Sequence, residues 1–370
     1  MNRTRSRKRN RRNRTVVLYV FAGLFALSAG LLYCFKQDVF GAATKPQITE
    51  YKTERSAWLA DWRWEAGMEQ LGGVAGGLTS LQVFAAYFDE SDRLLFTEEF
   101  REALPKIKQE AERNGMDRLF LTLVNDIKYE SGSDVQKDAD LVSRLVKDYS
   151  SRNRHINEII AVLETYGLSG AELDYERIGD RDWPNFVQLI RELHARMSAK
   201  GKELRVVFEP RAPLERLDLP EGPVYVMMAY NLYGSHSGPG PKADDAFVRK
   251  LAAQMKDVSA KSYIALSSGG FDWHGGTGKA TGITERQAAE LARSAAAAPV
   301  RDKASGALNF EYTDSGGAKH KVWYADGATL SQWIQAAKSK GIYNIAVWRL
   351  DELGAESLEQ LRSSGSNLIE

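Results

Sequence analysis

Glu172, Asp174 and Glu176 occupy alternate positions in the stretch Gly170-Ala171-Glu172-Leu173-Asp174-Tyr175-Glu176. Successive strand side chains point to opposite faces, so in a strand these three carboxyls share one face. Crowded, desolvated carboxyls resist ionisation, and one of them can then hold a proton near neutral pH and donate it. On an open sheet the same row would be no more than a wetted acidic face. The chemistry therefore depends on the element that surrounds the strand.

Apolar runs of strand length recur along the chain at 57–63, 81–88, 118–125, 171–176, 204–209, 224–230, 263–268 and 343–349. Amphipathic stretches separate them, such as Phe100, Leu104, Ile107 and Ala111, or Phe186, Leu189, Ile190, Leu193 and Met197, each with its apolar residues three and four apart. Thr284 with Gln287, and Thr329 with Gln332, have the spacing of helix-capping boxes. Alternation of strand and helix implies a parallel sheet with helices outside it. Eight units, with no glycine fingerprint after the first strand, predict a closed (β/α)8 barrel over residues 55–370. The long interval between the last two strands predicts a small α+β insertion at about 271–341. In such a barrel the acidic row faces the interior and rises to the C-terminal rim, where barrel enzymes place their chemistry. Asn125-Asp126 and Glu209 end the third and fifth strands, and Asn125 and Glu209 are expected to line the same cleft.

The fourth-strand stretch resembles the Asp-Gly-x-Asp-x-Asp-x-Glu signature of glycoside hydrolase family 18. Asp174 and Glu176 match its last two acids, while Ser169 and Glu172 replace the first and middle aspartates. Met228-Ala229-Tyr230-Asn231 is similar to the family's Met-x-Tyr-Asp element, with asparagine in place of aspartate. Gly270-Phe271-Asp272-Trp273 resembles its Gly-Tyr-Asp-Trp, and Val347-Trp348-Arg349-Leu350 its final-strand tryptophan. Phe310-Glu311-Tyr312-Thr313-Asp314 and His320-Lys321-Val322-Trp323-Tyr324 resemble the insertion of the bacterial spore-germination and cortex-lytic branch. The resemblance implies a retaining glycosidase that lacks a carboxylate nucleophile, an exception to the two-carboxylate scheme. Glu176 would protonate the glycosidic oxygen, and the substrate's own acetamido oxygen would attack to give an oxazolinium intermediate. Asp174 would orient the acetamido N–H, Tyr230 would bond its carbonyl, and Trp348 would floor the sugar ring. Asn231 and Glu172 would contact substrate. The expected substrate is an N-acetylated polysaccharide or oligosaccharide, with peptidoglycan preferred to chitin. The replacements at 169, 172 and 231 keep open a second reading, a lectin-like barrel that binds glycan with little turnover.

Residues 1–14 hold eight basic residues and no acid, which leaves 42 basic and 49 acidic residues in the remainder. An acidic body excludes a polyanion-binding role, so no nucleic acid is expected. Thr15–Phe35 is uncharged and long enough to span a bilayer. With the basic tail retained in the cytoplasm, it predicts a single-pass cell-membrane anchor, a linker over 36–54 and an extracytoplasmic barrel. A cleaved signal peptide is the competing reading of that segment. Cys34 is the sole cysteine, so no intrachain disulfide is possible. His155, His194, His236, His274 and His320 show no ligand spacing, and neither a metal nor a cofactor is expected. The run Gly275-Gly276-Thr277-Gly278-Lys279 lacks the first glycine and the hydroxyl residue of a phosphate loop, and reads as a rim loop.

Overall fold

The structure, a computed structural model, describes residues 49–51, 53–259, 261–362 and 367–369. These fall into two units. In one, Thr49–Tyr51 pairs antiparallel with Asn367–Ile369. The other, Lys52–Ser366, holds the elements below. The expected basic tail, membrane span and most of the linker lie outside the described residues. Among the described residues no helix is long and apolar enough to cross a membrane.

Seven parallel strands come first: β1 (Arg55–Ala60), β2 (Ser80–Phe88), β3 (Leu119–Ile127), β4 (Gly170–Asp174), β5 (Glu203–Phe208), β6 (Val224–Met228) and β7 (Ser262–Ser267). A subdomain of β8 (Gly269–His274), β9 (Ala280–Ile283), β10 (Val300–Arg301), β11 (Leu308–Thr313) and β12 (Lys319–Ala325) intervenes before β13 (Asn344–Trp348). Strands β1 to β7 and β13 pair in a ring, with β13 bonded to both β7 and β1 and β1 to β2. The expected eight-stranded barrel is therefore closed. Its strands read as continuous apolar runs because both faces are covered; every residue of β2 is buried. Gly170 lets β4 approach β5, since a Cβ there would lie 2.0 Å from the Glu203 carbonyl oxygen.

Outside the ring lie α1 (Trp64–Val74), α2 (Glu98–Arg113), α3 (Ala139–Val146), α4 (Tyr149–Tyr166), α5 (Trp183–Ser198), α6 (Asp245–Met255), α8 (Gly327–Lys338) and α9 (Ala355–Arg362), while α7 (Glu285–Ser294) belongs to the insertion. The stripe expected on α5 is buried throughout, from Phe186 to Met197. Each such side chain contributes roughly 1.5–3 kcal/mol by leaving water. One crossover departs from the expected alternation. Between β5 and β6 there is only a single 3-10 turn, Leu214–Arg216, because Pro210, Pro213, Pro220 and Pro223 interrupt any helical register there.

The insertion is an antiparallel sheet in the order β9-β8-β12-β11-β10, with α7 packed on one face through Ala288 and Ala292 against Phe310, Val322 and Tyr324. It spans 269–325 rather than 271–341, since α8 is the ordinary barrel helix that leads into β13. Thr284 and Gln287 form the expected capping box. Thr329 does not cap α8. Asp326 does, accepting from the Thr329 N–H, and an aspartate one turn earlier is the stronger N-cap. The glycine run at 275–279 forms the turn between β8 and β9.

Candidate active site

Strand β4 carries Glu172 and Asp174 on its inner face and releases Glu176 just beyond its end. Their surroundings differ sharply. Glu172 is fully buried; its carboxylate bonds Arg205 Nε at 2.8 Å, Trp58 Nε1 at 2.6 Å and Thr122 Oγ1 at 2.9 Å. It is sealed inside the barrel and is not a substrate contact, contrary to the reading from sequence. Its side chain reaches the buried Arg205 on the next strand.

Asp174 is 9% exposed, and its Oδ1 is buried without a hydrogen-bond partner. Burial above all, then the charges of Glu176 and Glu172, raise its pKa well above the usual carboxylate value. Glu176 is also raised by burial, but the ion pair that Lys137 Nζ makes with its Oε1 opposes the shift. Asn125 fixes Glu176 by its backbone, donating to the Glu176 carbonyl at 2.9 Å and accepting from its N–H at 2.9 Å. With its other bond given to Asp138 and 1% exposure, Asn125 positions the acid and has no free group for substrate. This too corrects the expectation.

Tyr230, 7% exposed, and Trp348, half-buried, join Glu176 and Asp174 in one cavity of about 520 Å³, with Trp62, Phe84, Tyr87, Asp61 and Asp126. Burial and the three carboxylates push the Tyr230 hydroxyl pKa up, so it stays a protonated donor. Trp348 is held edge-on by Phe84 at 4.9 Å and Trp58 at 5.8 Å between ring centres. Glu176, Tyr230 and Asn231 also line a neighbouring cavity of about 560 Å³, with Glu209, Arg177, Arg211, Lys137 and Lys250. Asn231 has φ of +61°, a left-handed conformation that asparagine tolerates better than most residues. Glu209 accepts the Arg177 N–H at 3.2 Å, and its charge adds to the rise at Glu176.

Sequence reasoning missed Lys137, Asp61 and Tyr87. Tyr87 donates to Asp61 Oδ1 at 2.8 Å, and Thr97 to Oδ2 at 2.7 Å. Inspecting the C-terminal ends of the first and second strands as well would have found Asp61 and Tyr87. Lys137 sits in an irregular loop and had no local signal. Lys242 was missed as well. It donates to Ser267 Oγ and the Ser268 carbonyl, both at 2.9 Å, and burial lowers its pKa to about 7.

The sequence profile described as glycosyl hydrolases family 18 matches residues 131–352, well over half of the chain. The chain belongs to glycosyl hydrolase family 18. Its barrel is thus a glycoside hydrolase domain. Among curated relatives, a glycosylase of Bacillus subtilis (strain 168), YvbX, is 24% identical over 227 residues, which cover 58% of this chain and 66% of that protein. The cortical fragment-lytic enzyme of Bacillus anthracis is 26% identical over 232 residues, covering 57% and 53%. The chain spans between about half and two thirds of these relatives' lengths. Of solved structures, the spore cortex-lytic enzyme SleL of Bacillus cereus superposes with a TM-score of 0.71 at 22% identity, over 87% of this chain and 76% of that one. A class V chitinase from Nicotiana tobaccum, solved in complex with NAG4, gives 0.68 at 16% identity over 84% and 98%. At these identities the superpositions speak for the fold.

Proposed function

We propose that the barrel hydrolyses β-1,4-linked N-acetylglucosamine-containing glycans by substrate-assisted, retaining catalysis. One observation carries the reading: the Asp174 Oδ1 is a buried acceptor with no donor, beside Glu176 and Tyr230 and in the cavity walled by Trp348. Buried polar atoms are almost always hydrogen-bonded, and an orphan at a cleft asks for a donor from the ligand. A 2-acetamido N–H is such a donor, and it would present its carbonyl to Tyr230. Glu176 then protonates the leaving oxygen, the acetamido oxygen attacks the anomeric carbon, and water opens the oxazolinium ion from the face the leaving group vacated. Peptidoglycan is the preferred glycan. Arg177, Arg211 and Lys250 line the adjoining cavity without a side-chain ion pair among the described residues, which suits a glycan bearing carboxylates. Thr15–Phe35 would hold this domain at the outer face of the cell membrane, beside the wall.

The test compares N-acetylated with fully de-N-acetylated oligosaccharides, and chitooligosaccharides with purified peptidoglycan, using the purified full chain. The N-acetylated substrates should be cleaved with β-anomer as the first product by NMR, and the deacetylated ones should resist. Initial α-anomer, or efficient cleavage of deacetylated substrate, would remove substrate assistance. Recovery of the native chain in washed membranes at unprocessed mass supports the anchor; a shortened soluble species would overturn it.

A further inference from the structure

Away from the cleft, the insertion assembles two histidines whose distance in sequence hid them. His274 on β8 and His320 on β12 are direct partners in the antiparallel register, so their side chains leave the same face. Asp272 lies on that face two residues before His274, and Tyr312 on β11 pairs with His320 from the other side. Helix α7 covers the apolar end of the face, and the polar group occupies the end beyond it. There His320 Nδ1 lies 2.9 Å from Asp272 Oδ1, and Tyr312 donates to Asp272 Oδ2 at 2.7 Å. A carboxylate at Nδ1 places the ring proton there and leaves Nε2 with a bare lone pair. That Nε2 is buried and makes no hydrogen bond; Asp314 Oδ2 lies 3.4 Å from it. Asp314 offers that oxygen freely, because its Oδ1 is held by the N–H groups of Gly316 at 2.9 Å and Ala318 at 2.8 Å.

The geometry points to a divalent transition-metal site, with Zn²⁺ the best fit, ligated by His274, His320 and Asp314. One donor atom from each lies within 4.8 Å of the others, and the imidazole rings are 5.0 Å apart at 68°. Two imidazoles and one carboxylate favour zinc over calcium or magnesium, which prefer oxygen alone. Asp272 is the partner that orients His320, the carboxylate–histidine–metal arrangement found around zinc. The His320–Asp314 separation already suits two ligands of one tetrahedral ion. His274 is the looser member, its Nδ1 accepting from the N–H groups of Gly276 at 3.2 Å and Thr277 at 3.3 Å. On binding, its ring turns and releases them. The ion would join the turn after β11 to the end of β8, the strand that also carries Phe271 into the cleft. Three protein ligands leave a fourth position for water, and no step at Glu176 passes through the ion.

The experiment uses the purified full chain in detergent, stripped by a chelator and titrated with Zn²⁺ and, separately, Co²⁺. One equivalent of Zn²⁺ should bind and raise the melting temperature, and Co²⁺ should give the intense visible absorption of a tetrahedral site. His274→Gln and Asp314→Asn, at the rim where folding is least at risk, should each remove the cobalt signal. Asp272→Asn should weaken Zn²⁺ by about 10- to 100-fold while leaving one equivalent bound. Far-UV circular dichroism reports whether each variant is folded. Absence of stoichiometric binding by the folded chain would overturn the site, as would equal affinity in folded His274→Gln, which would locate any bound zinc at other histidines. Neither result bears on glycan hydrolysis, which the same preparations report independently.

Discussion

Two carboxylates on one strand, two residues apart and on one face, have opposite fates. Glu172, on the barrel floor, meets a guanidinium, an indole N–H and a hydroxyl; Asp174, one layer up, has an oxygen with no partner. Both are desolvated, so burial alone does not separate them. The supply of donors does. A closed barrel grades one acidic row from satisfied at the bottom to unsatisfied at the mouth, and unsatisfied groups are where a ligand can bind with gain.

The largest effect should come from the top of the row. Glu176→Gln preserves shape but removes the transferable proton, so turnover of N-acetylated glycan should fall by ~10²–10⁴-fold with the fold and glycan affinity retained. Reducing-end release alongside a melting curve reads both. Equal turnover would take Glu176 out of the chemistry.

At the bottom the loss should be in stability. Glu172→Gln leaves Arg205 as a buried cation without its counter-charge, which typically destabilises by about 3–5 kcal/mol. Urea denaturation should show that loss. Replacing both residues, Glu172→Gln with Arg205→Met, should recover much of it, because an apolar side chain needs no counter-charge. If Glu172→Gln melted like wild type but lost activity, the floor and the mouth would not be distinct.

A pH-dependent effect lies on the outward side of the chain, just past the same strand. Tyr175 points away from the cleft and bonds His155 Nε2 at 2.7 Å; burial, with a lesser push from Arg154, lowers the His155 pKa from 6.5 to about 3. Between those values the unfolded chain binds the proton that the folded chain refuses. Stability from this group is complete above the ordinary histidine pKa and is lost as pH falls from 6.5 towards 3, by up to about 1.4 kcal/mol per unit. Urea midpoints against pH should fall less steeply on the acid side in His155→Asn than in wild type. Parallel curves would discard the assignment.

The smallest effect sharpens the mouth itself. Lys137 lowers the Glu176 pKa, so Lys137→Met should raise it and move the alkaline limb of kcat/KM to higher pH. A shift in the other direction would mean that Lys137 has some other role at the cleft.

The eight strands were legible because each is a short apolar run whose limits depend on local chain properties, and all eight fall within two or three residues of their expected places. Glu176, Tyr230 and Trp348 were legible as motif positions at strand ends. What sequence concealed was partnership. Nothing near Glu172 reveals that Arg205, on the next strand, neutralises it, or that both ends of the Asn125 amide are taken by backbone. His274 and His320 looked unrelated at 46 residues apart, because strand register, not spacing, makes them neighbours. The helix expected between β5 and β6 failed for a local reason, four prolines that a stricter reading would have weighed.

The ring is sealed by its ends. β1 bonds β13 through Ile345, Ala346 and Val347, and the Glu54 N–H reaches Asn344 Oδ1 across 290 residues. During synthesis the first strand must therefore wait, unpaired on one side, until almost the whole domain has left the ribosome. Trp348, which walls the cavity, arrives on that last strand, so a nascent or C-terminally clipped chain holds Asp174 and Glu176 but no assembled cleft. Contacts this distant in sequence also make folding slow relative to local structures. Assembly of the cleft is thus tied to completion of the chain.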